Sequence, residues 1–344
     1  MGLKIATYNN TALSATMTLE STGDGSGVST LRMTSLVDTT LTLTGSARFY
    51  TDAAGTTGES TSWTIVAGAL RTIYLKAPSG SSTLTIPNRF VISQLGNSAS
   101  DGWASGTNAA RLVFTCIDLQ NLTSLRIAGT STLTGALPTG LTYLRLVGNS
   151  IAWTYSGALP TGLTYLYLGG NSIAWTYNGA LPIRLTYLYL GGGSIAWTYN
   201  GALPTGLNNL YLAGDSIAWT YNGALPTGLN NSYLLGNLIA WTYNGALPIG
   251  LTYLYLGGGS IDYTGANVSG TANITTFNML NFRISKMTDA ELITLLESMT
   301  NRVGGLPAAA TIGDIANPTS TDAGVLAALS ALQAAKGTVV TRQA

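Results

Sequence analysis

Leu159-Pro160-Thr161-Gly162-Leu163-Thr164-Tyr165-Leu166-Tyr167-Leu168-Gly169-Gly170-Asn171-Ser172-Ile173-Ala174-Trp175-Thr176-Tyr177-Asn178 is most of one copy of a 22-residue unit that recurs from Gly135 to about Ser260, with prolines at Pro138, Pro160, Pro182, Pro204, Pro226 and Pro248. A fixed period of this length marks a supersecondary unit that cannot bury its own apolar face and must stack on its neighbours. The repeats therefore predict a solenoid. A stack of near-identical units offers ladders of side chains rather than an enclosed pocket, which points to binding along an extended surface.

Side chains alternate along a strand, so in Leu163-x-x-Leu166-x-Leu168 and its copies the paired leucines, such as Leu144 and Leu146, point into a core. Their neighbours point out. Two ladders follow: Tyr143, Tyr165, Tyr187, Asn209, Asn231 and Tyr253 in one column, and Arg145, Tyr167, Tyr189, Tyr211, Tyr233 and Tyr255 in the other. Stacking of these rings would stabilise the sheet. Tyrosine also combines apolar area with a hydroxyl at low entropy cost, as in antibody paratopes, so both columns are candidate ligand-binding residues.

The second half of each unit, Ile-Ala-Trp-Thr-Tyr, has high β propensity and repeats Trp153, Trp175, Trp197, Trp219 and Trp241. If extended, it places Ile151, Trp153 and Tyr155 on one face, which the isoleucine suggests is inward. The competing reading is an exposed tryptophan stripe that stacks on sugar rings. Ser232 replaces a core leucine and marks the fifth repeat as the weak point of the stack.

Units such as Leu159-Pro160-Thr161-Gly162-Leu163 through Ile173 resemble the leucine-rich repeat, LxxLxLxxNxL, with an LPxxL lead-in. The resemblance implies a right-handed parallel-β solenoid with the LxxLxL segment on its concave face, and no catalysis. The family's asparagine column reads Asn149, Asn171, Gly193, Asp215, Asn237 and Gly259 here, and the two glycines cannot make that side chain's bonds to the turn.

The flanks differ in texture. Residues 1–105 alternate in short runs, Ala15 to Leu19, Ser29 to Thr34, Thr40 to Thr44, Ala47 to Thr51, Ser62 to Val66, Leu70 to Lys76, Thr83 to Ile86 and Arg89 to Ser93, separated by Gly, Ser, Asp and Asn clusters. That pattern predicts a helix-free antiparallel β-sandwich. The polar segment Asn97 to Asn108 suits a linker, so the solenoid is expected over 106–270. Leu122-x-x-Leu125-x-Ile127 anticipates Leu141-x-x-Leu144-x-Leu146 at a spacing of 19 and reads as an atypical first repeat whose outer side faces water. Over 271–344 a small α/β cap is expected. It comprises a strand at Phe277-x-x-Leu280-x-Phe282, a helix from the capping box Thr288-Asp289-Ala290-Glu291 to about Met299, a strand over Thr311 to Ile315, a helix over Ser320 to Lys336 and a strand over Thr338 to Thr341. The fold class is thus mainly β.

Composition excludes several activities. Charged residues are 8% of the chain against about a quarter in ordinary domains, and the net charge is +1 without a basic run, so neither nucleic acid nor an anionic membrane is an expected partner. No apolar run is long enough to span a bilayer. Histidine is absent, which removes the commonest general base and metal ligand. Asp118, Asp215 and Asp262 do not recur as a pair for glycoside hydrolysis, so no enzyme activity, cofactor or metal is expected. Cys116 alone cannot close a disulfide within the chain.

A neutral, hydroxyl-rich surface suits extracellular adhesion, yet Met1-Gly2-Leu3-Lys4-Ile5-Ala6 leads straight into polar residues without the features of a signal peptide. A phage virion surface protein reconciles the two, being released by lysis. The expected partners are other virion proteins at the N-terminal domain and a host-surface glycan or protein at the solenoid, with homo-oligomerisation left open. A bacterial cell-surface or effector-type interaction module, or a structural fibre component, is the alternative.

Overall fold

The computed structural model describes residues 15–20, 29–77, 80–87, 92–96, 111–115, 121–155, 157–170, 174–177, 179–192, 195–199, 201–214, 217–221, 225–243, 248, 250–263, 276–282, 293, 297, 311–312 and 323–336. It forms two compact units, residues 1–163 and 164–344.

In the first unit, the predicted short strands appear as β1 (Ala15–Glu20), β2 (Ser29–Ser35), β3 (Thr39–Thr44), β4 (Arg48–Tyr50), β5 (Ser62–Ile65), β6 (Arg71–Lys76), β7 (Ser81–Ile86) and β8 (Ile92–Gly96). With β9 (Arg111–Thr115) they make two antiparallel sheets, ordered β9-β1-β7-β3-β5 and β8-β2-β6-β4. Alternation sets the core: Leu41 and Leu43 of β3 are buried between exposed threonines. Leu19, Met33, Phe49, Ile73 and Leu84 join them from both sheets. Phe49 exchanges backbone hydrogen bonds with Ser60 at 2.8 and 3.1 Å, and Leu43 N–H donates to Thr61 at 2.8 Å, so this segment turns the corner between the sheets. No helix occurs among the described residues of this sandwich.

Each sheet then runs on into a wall of the solenoid. β8 pairs antiparallel with β2 and parallel with the start of β10 (Ser124–Thr134), through Leu95 opposite Leu125. β9 pairs antiparallel with β1 and parallel with the end of β10, through Leu112 opposite Ser131. β10 in turn pairs with β11 (Tyr143–Tyr155), Leu125 opposite Leu144, at the predicted spacing of 19. This corrects one expectation. The first repeat does not end at water: it pairs in parallel with the last strand of each antiparallel sandwich sheet. The β8 and β9 edges of the two sheets are thereby covered, which removes exposed backbone at those edges.

The second unit has a front and a back sheet of parallel strands. The front contains β12 (Tyr165–Gly169), β14 (Tyr187–Gly191), β16 (Asn209–Ala213) and the first part of β18 (Asn231–Tyr243), followed by β19 (Tyr253–Tyr263), β20 (Thr276–Phe282) and β21 (Thr311–Ile312). The back contains β13 (Ala174–Tyr177), β15 (Ile195–Tyr199), β17 (Ile217–Tyr221) and the later parts of β18 and β19. This is the parallel-β solenoid that the 22-residue period predicts, and the Ile-Ala-Trp-Thr-Tyr segment is extended as expected.

Each front strand starts from the same turn. Leu163, Leu185, Leu207, Leu229 and Leu251 donate their N–H to the proline three residues earlier at 2.9–3.0 Å. Pro182-Ile183-Arg184-Leu185 keeps that bond at 2.9 Å without a glycine, consistent with the open space beyond a Cβ at Gly206. Leu185, Leu188 and Leu190, and their copies Leu207, Leu210 and Leu212, are fully buried.

The sheets differ in register. On the front, equivalent residues face each other 22 apart, Tyr165 opposite Tyr187 and Tyr187 opposite Asn209. On the back the pairing is 20 apart: Trp175 lies opposite Ile195, and Trp197 opposite Ile217. Equivalent positions thus advance by one strand spacing, about 4.8 Å, on the front, and by that plus two residues along the strand, about 8 Å in total, on the back. Adjacent coils are related by a rotation as well as a rise. Tryptophan does not face tryptophan on the back, so a straight tryptophan stripe does not form; the direction of those rings lies outside the described residues.

Just past these strands stand Gly170, Gly192 and Gly214, whose N–H groups donate to the carbonyls of Gly191, Ala213 and Leu235 at 2.9–3.0 Å. Gly192 has φ of 125° and packs directly on the backbone of Gly170, where a Cβ would overlap the Gly170 carbonyl. A glycine stands at this position in each repeat, at 148, 170, 192, 214, 236 and 258.

Toward the C-terminus, β20 forms but in a shifted register: Phe277 faces Leu254 and Met279 faces Leu256, where the LxxLxL pattern aligns Leu280 and Phe282 with those leucines. Ile293 and Glu297 are helical, and the helix Ala323–Lys336 buries Val325 and Ala328. The strand over Thr311 to Ile315 is present as Thr311–Ile312. The segment Asn97 to Asn108, Thr288-Asp289-Ala290-Glu291, Thr338 to Thr341 and the side chains of the asparagine column lie outside the described residues.

Ser232 sits in the core column, 2% exposed, opposite Leu210 and Leu254. Ser232→Leu is expected to raise stability by roughly 1–3 kcal/mol in urea unfolding, as the reverse of a core truncation. Gly192→Ala is expected to lower it by more than about 1 kcal/mol, because the position combines positive φ with backbone contact; an unchanged midpoint would show that the coils separate freely there.

Candidate functional site

The front strands place the candidate residues on the outward positions of one sheet in each unit. Tyr143 and Arg145 stand on β11 in the first unit. In the second unit the register puts Tyr165, Tyr187, Asn209, Asn231 and Tyr253 in one column and Tyr167, Tyr189, Tyr211, Tyr233 and Tyr255 in the other. Tyr253 faces Thr276 and Tyr255 faces Asn278 on the strand beyond. All except Tyr255, whose side chain is outside the described set, are half-buried, while Leu144, Leu166, Leu188 and Leu210 between them are buried.

Ring geometry changes along the ladder. Tyr165 and Tyr187 stack with centroids 4.4 Å apart and planes 11° from parallel, and Tyr167 and Tyr189 stack at 4.0 Å and 1°. Tyr189 and Tyr211 are 6.2 Å apart and tilted by 36°, and Tyr211 and Tyr233 by 34°. The residue two positions further along the same face accounts for the change. Tyr167 and Tyr189 lean over Gly169 and Gly191: a Cβ built on Gly169 would lie 2.7 Å from Tyr167 Cε1, and one on Gly191 2.6 Å from Tyr189 Cε1. Ala213 and Leu235 occupy that place beside Tyr211 and Tyr233. A side chain there prevents the ring from leaning down, and the stack breaks.

In the other column the amide of Asn231 donates to Asn209 Oδ1 at 2.6 Å, continuing a ladder of polar groups where the tyrosines stop. Burial raises the Tyr211 phenol above its ordinary pKa, with Tyr253 adding to the effect, so this hydroxyl remains protonated and able to donate at neutral pH. The second unit's ladder is therefore neutral, with ring edges, phenols and amides repeating at the strand spacing.

In the first unit the outward column carries arginines. The guanidinium of Arg126 lies over the Tyr143 ring, 4.1 Å from its centroid, and Arg126 is directly opposite Arg145. Reading of the repeats singled out Tyr143 and Arg145 but not Arg126, because Arg126 belongs to the atypical repeat before the first proline. Its signal was the 19-residue alignment, which places it in the Arg145 column. The glycines that seat the rings were missed as well, although Gly169, Gly191 and Gly257 share a column in the sequence.

Among the described residues, no group of three or more His, Cys, Asp or Glu is placed to hold a metal ion, and no helix is long and apolar enough to cross a membrane. Comparison with family models, curated proteins and solved structures finds no match.

Gly191→Ala is expected to tip Tyr189 out of the stack and weaken the near-ultraviolet circular dichroism of the tyrosines. Ala213→Gly is expected to let Tyr211 lean down and strengthen that signal. Equal spectra for both variants would reject the seating role of this column.

Proposed function

We propose that the protein is a non-enzymatic recognition module of leucine-rich-repeat type, displayed on a phage virion surface and binding a host-surface glycan through the front sheet. The observation that carries this reading is the in-register stack of Tyr165 with Tyr187 and Tyr167 with Tyr189 on a half-exposed face. These rings are already ordered by their neighbours, so binding would immobilise little additional side-chain freedom. Their hydroxyls, with the Asn209–Asn231 amide pair, offer hydrogen bonds in a line without charge. A neutral, hydroxyl-rich polymer is the chemistry that such a line complements.

The low charge and abundance of Gly, Ser and Thr support a surface exposed outside cells, and the N-terminal sandwich is the part proposed to dock on other virion proteins. A protein partner is the competing ligand, and the same face would serve it.

A glycan array probed with the intact chain is expected to show binding that the Tyr167→Ala/Tyr189→Ala double variant reduces at least tenfold. Binding unaltered by that variant would remove the stacked tyrosines from the site. Absence of the chain from purified virions by mass spectrometry would remove the proposed location.

A further inference from the structure

We infer that the front sheet of the second unit carries a subsite for the acetamido group of an N-acetylated sugar, built on Asn209 and Asn231. Both stand where the coils on either side carry tyrosine: their column reads Tyr187, Asn209, Asn231 and Tyr253 across β14, β16, β18 and β19. An asparagine side chain is shorter than a tyrosine, so two adjacent rows of the column are cut back between two rings. Three strand spacings separate Tyr187 from Tyr253, about 14 Å along the column, which is room for a pyranose ring with its substituent.

The departure is confined to two coils, and it does not favour the sheet. Asparagine is depleted in strands and cross-strand aromatic pairs stabilise them, so two asparagines here forgo the stacking that Tyr165 and Tyr187 make. Threonine also gives way to asparagine at Asn208 and Asn230 in the same coils, and the next coil returns to Thr252-Tyr253.

Amide chemistry selects the ligand. A side-chain amide has two N–H donors and a carbonyl acceptor, and Asn231 Nδ2 donates to Asn209 Oδ1 at 2.6 Å, which ties the two side chains together. That bond leaves Asn209 Nδ2 as a donor and Asn231 Oδ1 as an acceptor. Both residues are half-buried, and neither of these atoms is buried without a partner among the described residues, so both face solvent. A secondary amide presents a carbonyl and an N–H on separate atoms, which suits two side chains one strand spacing, about 4.8 Å, apart. A sugar hydroxyl presents both functions on one oxygen. Tyr211 supplies an apolar side: its ring stands next to Asn209 on the same face of β16 and lies 5.7 Å from the Tyr187 ring across the diagonal, where it can cover an acetamido methyl. Asparagine carries no charge, so a free amino sugar or a sugar acid gains no ion pair there. The choice of a sugar rests on the glycan reading proposed above; the preference for an amide rests on Asn209 and Asn231.

Calorimetric titration of the full chain with the β-1,4-linked tetramer of N-acetylglucosamine tests the subsite, with cellotetraose as the control that carries a hydroxyl in place of each acetamido group. The N-acetylated tetramer is expected to bind at least tenfold more tightly and to give the larger rise in melting temperature, a measurement that needs no variant. Asn209→Tyr/Asn231→Tyr restores the residue of the neighbouring coils, so it keeps the fold, and is expected to abolish the difference between the two sugars. Asn209→Asp retains an acceptor for Asn231 Nδ2 but loses the outward donor, and is expected to weaken the N-acetylated tetramer at least fivefold with cellotetraose unchanged. Equal affinity for the two sugars in the unsubstituted protein, a preference that survives the asparagine substitutions, or tighter binding of acetylated tetraglycine, a peptide bearing the same amides, would each overturn the subsite. Glycan binding that depends on Tyr167 and Tyr189 but shows no acetamido preference would overturn the subsite and leave the ladder as the recognition face. An asparagine-dependent preference that persists in Tyr167→Ala/Tyr189→Ala would uphold the subsite while rejecting the stacked tyrosines.

Discussion

The front sheet depends on one constraint: parallel strands 22 residues apart must pair without slip. A slip of one residue would send the leucine column to solvent and the tyrosine column into the core. Two local devices hold the register. The proline turn receives the N–H of the leucine that begins each coil, and the next residue's N–H reaches the preceding coil, as Thr186 does to Thr164 at 2.8 Å and Asn208 to Thr186 at 2.8 Å. At the far end, glycine lets the backbones of adjacent coils touch. Identical side chains can line up because both ends of every strand are tied.

The back sheet lacks that alignment, because its strands pair 20 residues apart. A ladder of equivalent groups at strand spacing exists on one side of the coil only. On the back, Trp175 pairs with Ile195 and Trp197 with Ile217, so equivalent residues do not share a row.

Stacking along the front is itself conditional. The Tyr167–Tyr189 pair lies flat against its neighbour because the following residues on that face are glycines, and the same tyrosine column tilts where Ala213 and Leu235 replace them. The tyrosine pattern was legible in the sequence, and so were the outward columns, but the angle of each ring was not. It is decided by contact between residues two apart on one face, which a column-by-column reading separates. The junction with the sandwich was equally hidden, since Leu95 and Leu125 become neighbours only through pairing of strands from the sandwich with strands from the repeats.

The amino-acid sequence alone determined the repeat period, the buried leucine columns, the short antiparallel strands of the N-terminal region and the extended state of the Ile-Ala-Trp-Thr-Tyr segment. Those features follow from alternation and periodicity, which are local properties of a chain. Tertiary structure alone decided that both sandwich sheets continue into the walls of the first coil, that the back sheet pairs at 20 residues against 22 on the front, and that Phe277 rather than Leu280 faces Leu254. Strand pairing satisfies backbone groups from distant parts of the chain, and its register is chosen by how whole coils fit, so no single repeat contains that information.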